Sequence, residues 1–191
     1  IDIEGNIGQA TCMDWLDERH LIVCDAGEGS VILYTLSENQ ITKDSTLLSG
    51  LQKPHGIHID NSTLYLSERG KLTAYPFTGN LPNEWNFTDS RILVEGIPAK
   101  NHQTNAVSAG PNGTLIWHSG STCNVCQEED DRNAALLMVN PDTGEHSILA
   151  SGVRNSFDGA WIEDIGYVIT DNGRDSEGND FPPEELNLSL I

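Results

Sequence analysis

The phrase Leu47-Leu48-Ser49-Gly50-Leu51 returns as Leu93-Val94-Glu95-Gly96-Ile97 and as Leu149-Ala150-Ser151-Gly152-Val153, each copy closing a β-type segment before a polar turn. The copies lie 46 and 56 residues apart (93 − 47 and 149 − 93), so the chain repeats a unit of supersecondary size. Ahead of the copies run short apolar segments of β composition: His20-Leu21-Ile22-Val23-Cys24, Thr63-Leu64-Tyr65-Leu66 and Thr114-Leu115-Ile116-Trp117. Gly166-Tyr167-Val168-Ile169-Thr170 is the corresponding segment of a fourth unit. Polar corners follow, as in Asp25-Ala26-Gly27, Ser67-Glu68-Arg69-Gly70 and Asp171-Asn172-Gly173, and then a further strand such as Val31-Ile32-Leu33-Tyr34 or Ala135-Leu136-Leu137-Met138-Val139. Such a pattern is a repeated antiparallel meander. Units of roughly 40 to 50 residues made of short strands resemble β-propeller blades, because one four-stranded sheet cannot bury both faces until neighbours stack on it. Apolar residues rarely recur at three- and four-residue spacing, which argues against helices, and a β-sandwich is the runner-up. The expected fold is all-β: a propeller of four-stranded antiparallel blades, about four of them present, in one domain over residues 1–191. The fourth unit stops short of its outer strands, so either further residues follow, or another chain or a homo-oligomer covers the open edge, or four units close by themselves.

The chain's 191 residues with 37% apolar content suffice for a core in a turn-rich sheet protein. Ten Lys plus Arg against 29 Asp plus Glu give a net charge of −19, with no basic run to neutralise phosphates. Nucleic acid and anionic membranes are therefore disfavoured as partners, and the acidity reads as a solvated, self-repelling surface. No apolar run is long enough to span a membrane, and the N-terminus lacks signal-peptide blocks, so the chain reads as mature and soluble. Four cysteines and the sequons at Asn61, Asn86, Asn112 and Asn187 favour an oxidising, secreted or periplasmic setting and a glycoprotein. Sequence alone allows three cysteine pairings, of which Cys12 with Cys24 and Cys123 with Cys126 are the local ones. For Cys123-x-x-Cys126 a zinc half-site or a redox motif are the alternatives, but the first needs a second ligand pair and the second a strand-to-helix setting.

One stretch carries more than architecture. Asn101-His102-Gln103-Thr104-Asn105, the hairpin Gly110-Pro111-Asn112-Gly113-Thr114 and Gly120-Ser121-Thr122-Cys123-Asn124-Val125-Cys126 occur in that order, followed by Arg154-Asn155-Ser156-Phe157, Thr170-Asp171-Asn172-Gly173-Arg174-Asp175 and Pro182-Pro183-Glu184-Glu185-Leu186-Asn187. This ordered set resembles the soluble quinoprotein glucose/sorbosone dehydrogenase family, whose members are six-bladed propellers. The sorbosone-type branch, with its Cys-rich corner and Pro-Pro-Glu-Glu-Leu-Asn segment, is the nearer match, and the segment from Gly70 to Asn101 is short beside the sugar enzymes, which carry an extra quinone-contacting loop there. The resemblance implies pyrroloquinoline quinone (PQQ) and Ca²⁺ as cofactors. It implies that His102 is the general base taking a proton from a sugar hydroxyl, and that Arg154 and Asn155 contact the quinone's carbonyls and carboxylates. It further implies that backbone carbonyls near Gly173 and Arg174, in the loop that includes Asp175, hold the Ca²⁺.

The chemistry fits those residue types. An imidazole accepts a proton near neutral pH, and a guanidinium fork stabilises charge on a reduced quinone. The acidic stretch from Asp171 to Asp180 departs from the EF-hand pattern, with Ser176 at its sixth position and Pro182 at its twelfth. His20, His55, His58, His118 and His146 read as structural or surface groups. Two functions follow. One is a secreted quinoprotein dehydrogenase oxidising a sugar or related alcohol; the other is a non-catalytic extracellular propeller that binds a protein or glycan partner.

Overall fold

A computed structural model describes residues 2–4, 8–38, 40–102, 106–176, 178 and 184–189. The strands are β1 (Asp2–Glu4), β2 (Ala10–Trp15), β3 (His20–Asp25), β4 (Ser30–Ser37), β5 (Gln40–Leu48), β6 (Gly56–Asp60), β7 (Thr63–Glu68), β8 (Lys71–Thr78), β9 (Asn86–Phe87), β10 (Arg91–Val94), β11 (Val107–Ala109), β12 (Leu115–Ser119), β13 (Ala135–Val139), β14 (His146–Ser151), β15 (Gly159–Ile162), β16 (Gly166–Asp171) and β17 (Glu185–Ser189). They form four small sheets of propeller-blade type, as the repeat predicts. The spatial orders are β1-β5-β4-β3-β2, β10-β8-β7-β6 with β9 also on β8, β11-β12-β13-β14, and β15-β16-β17. Only β1 runs parallel to its neighbour among the described pairings, a long-range partnership with β5. By contacts the chain divides into two compact units, residues 1–68 with 73–91 and residues 69–72 with 92–191.

The repeated phrase has a backbone cause. Gly50, Gly96 and Gly152 all take left-handed φ, at 73°, 74° and 82°, a conformation that costs glycine nothing. The apolar residue after each one then donates its N–H to a carbonyl that opens a strand: Leu51 to Gly29 at 2.9 Å, Ile97 to Gly70 at 3.3 Å and Val153 to Ala134 at 2.9 Å. Those three acceptors are left-handed too. A Cβ at Gly29 would run into the Leu51 carbonyl, whereas the third copy already carries a Cβ on Ala134 at φ 50°. Gly29→Ala should therefore destabilise by about 2 kcal/mol, and Ala134→Gly should be neutral or slightly stabilising. Urea denaturation of the two variants checks this; equal and small effects would remove the carbonyl clash from the account.

The period of two is visible in the burial. On β3 and β4, Ile22, Cys24, Val31 and Leu33 join Ile57, Leu64, Leu66 and Phe77 in one cluster. Their alternating neighbours Leu21, Val23, Ile32 and Tyr34 form another on the opposite face. Both faces of the inner strands β3 and β4 are thus buried, as stacking blades require. In the second unit Ile116, Leu136, Val153, Tyr167 and Ile169 make a separate cluster. The pairing of β2 with β3 sets Cys12 opposite Cys24, and the two are joined with a Cα separation of 5.0 Å; Cys123 and Cys126 are joined at 6.0 Å.

Acids recur at the ends of second strands. The fully buried Asp25 carboxylate accepts the N–H groups of Gly8, Gln9, Gly27 and Glu28 at 2.9 to 3.1 Å. Glu68 accepts Gln52 N–H at 2.7 Å, and Asp171 accepts those of Arg154 and Asn155 at 3.0 and 2.6 Å. Each carboxylate satisfies loop donors that would otherwise be orphaned at a blade corner.

Candidate functional site

The segment after β12 places His102. Gly120 lies so close to the His102 carbonyl that any Cβ there would collide with it, and His102 N–H reaches the Ser121 carbonyl at 3.1 Å. The imidazole Nδ1 is 2.6 Å from the Ser121 hydroxyl, which itself donates to the Cys123 carbonyl at 2.8 Å. A hydroxyl has one proton, and here it is engaged by Cys123, so Nδ1 must carry the hydrogen and donate. Nε2 is left with its lone pair, and no described residue hydrogen-bonds to it. Burial first, and then the nearby Arg154 cation, push the His102 pKa below the ordinary 6.5, against the opposing pull of Asp175 and Asp171. The imidazole is therefore neutral at neutral pH, with Nε2 free to accept a proton.

Arg154 stands at the centre of a cage of oxygens. Nε donates to the Asn124 carbonyl at 3.0 Å, and Nη1 to the carbonyls of Asn172 and Gly173 at 2.9 and 2.5 Å. Nη2 donates to Asn124 Oδ1 at 2.6 Å and to the exposed Asp175 carboxylate at 3.2 Å. All five guanidinium hydrogens are thus engaged, four of them by backbone or amide oxygens and one by a carboxylate. The cage is completed by the Asn124 side chain, which accepts Asp175 N–H at 3.0 Å and donates to the Asp175 carbonyl at 3.3 Å.

Asp171, at the end of β16, binds the backbone N–H groups of both Arg154 and Asn155, and Asn172 N–H returns to the Asn155 carbonyl at 3.2 Å. Burial raises the Asp171 pKa above the usual carboxylate value, although these N–H groups pull the other way. A cleft of about 420 Å³ opens here, with Ser121, Asn124, Arg154, Asp171, Gly173 and Arg174 among its walls. That size suits a small ligand. Of the residues expected from sequence, Arg154, Gly173 and Arg174 line the cleft; His102 joins it through Ser121, Asn155 through Asp171, and Asp175 through Arg154. Gln103, Thr104 and Asn105, and Asn179 to Pro183, lie outside the described residues. Ser121, Asn124 and Asp171 stand inside the motifs, but their roles depend on long-range contacts that residue type alone does not announce. Cys123, Cys126 and Glu128 bring possible ligand atoms within 4.8 Å of one another, but the disulfide engages both sulfurs.

A second histidine is wholly buried in the same unit. His118 Nδ1 meets Ser156 Oγ at 2.9 Å and Nε2 meets Tyr167 Oη at 2.8 Å, with Ser108 Oγ 2.7 Å beyond the phenol. Burial lowers the His118 pKa to about 4 and, as the larger influence on Tyr167 too, pushes that phenol up. His118 is therefore a satisfied core residue. Because its folded pKa is below the unfolded 6.5, the unfolded chain binds the extra proton between these values, and stability falls as pH drops from 6.5 to about 4. The expected loss is about 3 kcal/mol, read by urea denaturation at pH 7 and pH 4.5, and it should shrink in a His118→Gln variant. An equal pH slope in the two proteins would contradict this assignment.

No family model matches the chain. An uncharacterized protein of Borreliella burgdorferi is 30% identical over a match of 173 residues that covers 85% of this chain and 45% of that protein. The chain thus spans less than half the length of this relative. Among solved structures, a proposed oxidoreductase (glucose dehydrogenase) from Thermus thermophilus superposes with a TM-score of 0.68 at 17% identity, over 97% of this chain and 63% of that one. A proposed 6-phosphogluconolactonase from Bacteroides uniformis gives 0.53 at 13% identity, over 84% of this chain and 46% of that one. The likeness establishes the fold as a β-propeller. No helix among the described residues is long and apolar enough to cross a membrane.

Proposed function

We propose that the chain forms the base-bearing part of a propeller oxidoreductase that oxidises a sugar or related alcohol, with His102 as general base. The observation that carries this reading is the relay from the Cys123 carbonyl through Ser121, a wall residue of the cleft, to His102, which leaves Nε2 unprotonated. Nε2 takes the hydroxyl proton of the substrate as hydride leaves the adjoining carbon. Proton acceptance then makes an imidazolium, which Asp175 and Asp171 favour by their charge. The proton gained returns to solvent after the oxidised product leaves.

The cleft's own contacts bear on the implied cofactors. Asp175 presents a carboxylate to Arg154 Nη2 from an exposed position, and so stands where a carboxylate of pyrroloquinoline quinone would dock by displacing it. The quinone fits in this respect, with Arg154 as its anchor and Asn155 placed beside it by Asp171; when bound it supplies the hydride-accepting carbonyl. Ca²⁺ does not fit at Gly173 as arranged. The Gly173 carbonyl already accepts Arg154 Nη1–H, so a divalent ion on that oxygen would meet the guanidinium directly.

Purified full-length protein titrated with the quinone should bind it saturably, and Arg154→Ala should weaken that binding first. The bound protein is then offered a panel of aldoses, sugar alcohols and sugar lactones. Saturable quinone binding with oxidation of an aldose or alcohol supports the reading. Lactone hydrolysis without quinone binding would replace it with a hydrolase, and neither activity would leave a binding module.

A further inference from the structure

We propose that the ring closed by the Cys123–Cys126 disulfide is the positioning element of this site: its Cys123 carbonyl fixes the tautomer of His102, and its Asn124 anchors Arg154. The inference deepens the proposed function and rests on it only in naming His102 as the base.

Both candidate functional side chains are tied to one four-residue ring. The Cys123 carbonyl is the acceptor that orients the Ser121 hydroxyl toward itself, which obliges His102 Nδ1 to donate. An imidazole in water prefers hydrogen on Nε2, so the opposite tautomer is held here by this acceptor. The next residue contributes both its carbonyl and its Oδ1 to Arg154. Its side-chain amide also brackets the Asp175 backbone, Oδ1 accepting the N–H and Nδ2 donating to the carbonyl. On the ring's other flank, Glu128 accepts the Thr122 N–H and hydroxyl at 2.9 and 2.7 Å. Yet Val125 and Cys126 are exposed, with no strand over this segment to hold the carbonyl's direction. The covalent closure between Cys123 and Cys126 supplies that constraint. Opening it with a dithiol such as dithiothreitol breaks the S–S bond. Two electrons and two protons pass from the reagent to give two cysteine thiols and the reagent's own cyclic disulfide.

The tautomer is read directly by ¹⁵N NMR of histidine-labelled full-length protein at neutral pH, in the oxidised wild type, the dithiothreitol-reduced wild type, Cys123→Ser/Cys126→Ser and Ser121→Ala. The oxidised wild type should show His102 with Nδ1 protonated and Nε2 bare. The other three should move hydrogen toward Nε2, and Asn124→Ala should speed exchange of Arg154 Nε–H by about tenfold while leaving the His102 tautomer largely in place. Should the serine pair fail to fold, the reduced wild type carries the same test. A wild type with hydrogen on Nε2, or a tautomer unmoved by ring opening, overturns the proposal; unchanged Arg154 exchange in Asn124→Ala overturns its second half. A ring-dependent tautomer in a protein that binds no quinone and turns over no substrate would refute the proposed function while leaving this inference standing.

Discussion

His102→Ala in the full-length protein is expected to lower kcat by about 10²- to 10⁴-fold, the range for loss of a general base, with quinone affinity nearly unchanged. The two effects separate because His102 hydrogen-bonds to Ser121, whereas the proposed anchor is Arg154, held by Asn124, Asn172 and Gly173. The pH profile adds a second reading. Since burial and Arg154 push the His102 pKa below 6.5, the acid limb of kcat/KM in the wild type should lie below the ordinary imidazole range. That limb should vanish in His102→Ala, whose residual rate loses this titration. Steady-state rates from pH 4.5 to 8, with quinone binding measured separately, decide it; a variant that loses cofactor and rate together would make His102 a binding residue.

The largest stability effect is expected at Asp25. Its carboxylate is buried and takes four backbone N–H groups from both sides of a corner, so Asp25→Ala strands all four at once. A loss of about 4 kcal/mol is expected, near the upper end for a single substitution, with Asp25→Asn retaining part of it through the amide oxygen. Burial alone would raise the Asp25 pKa, but the four N–H groups outweigh it and hold the value below 3.8. The sign follows: the folded form holds its proton less tightly, so the contribution is complete above 3.8 and is lost as pH falls through the lower folded value. Urea denaturation at pH 7 and pH 3 should show the variant's deficit at pH 7 and a smaller one at pH 3. A deficit under about 1 kcal/mol at pH 7 would mean that water replaces the carboxylate at that corner.

The blade pattern was legible because its cause is local. Gly50, Gly96 and Gly152 mark left-handed corners, and the strands β3, β7, β12 and β16 fall on the apolar runs that precede or follow them. The two disulfides were legible for the same reason, since each joins cysteines on neighbouring backbone. The parallel pairing of β1 with β5 was not, because nothing in a three-residue strand names a partner some 38 positions away (Asp2 with Gln40, 40 − 2). The site divides in the same way. His102 and Arg154 stood out as residue types within motifs, but the cage around Arg154 is assembled from Asn124 and Asn172, 30 and 18 residues distant. Asp171 read as one acid of a polar corner, and its binding of two backbone N–H groups 16 and 17 residues away was not legible there. Likewise His118 and Tyr167, 49 residues apart, form a hydrogen bond that sequence spacing could not announce.

Chemical rescue tests the central claim most directly. Quinone-loaded full-length protein is mixed with a substrate found in the panel, and the single-turnover rate of quinone reduction is followed by absorbance for the wild type, for His102→Ala and for His102→Ala with added imidazole. Expected are a fast wild type, a variant slower by about a hundredfold or more, and a rate that climbs with imidazole as a free base enters the space left beside Ser121. A variant as fast as the wild type, or a slow variant indifferent to imidazole and to other small bases, would contradict His102 as the base of this propeller.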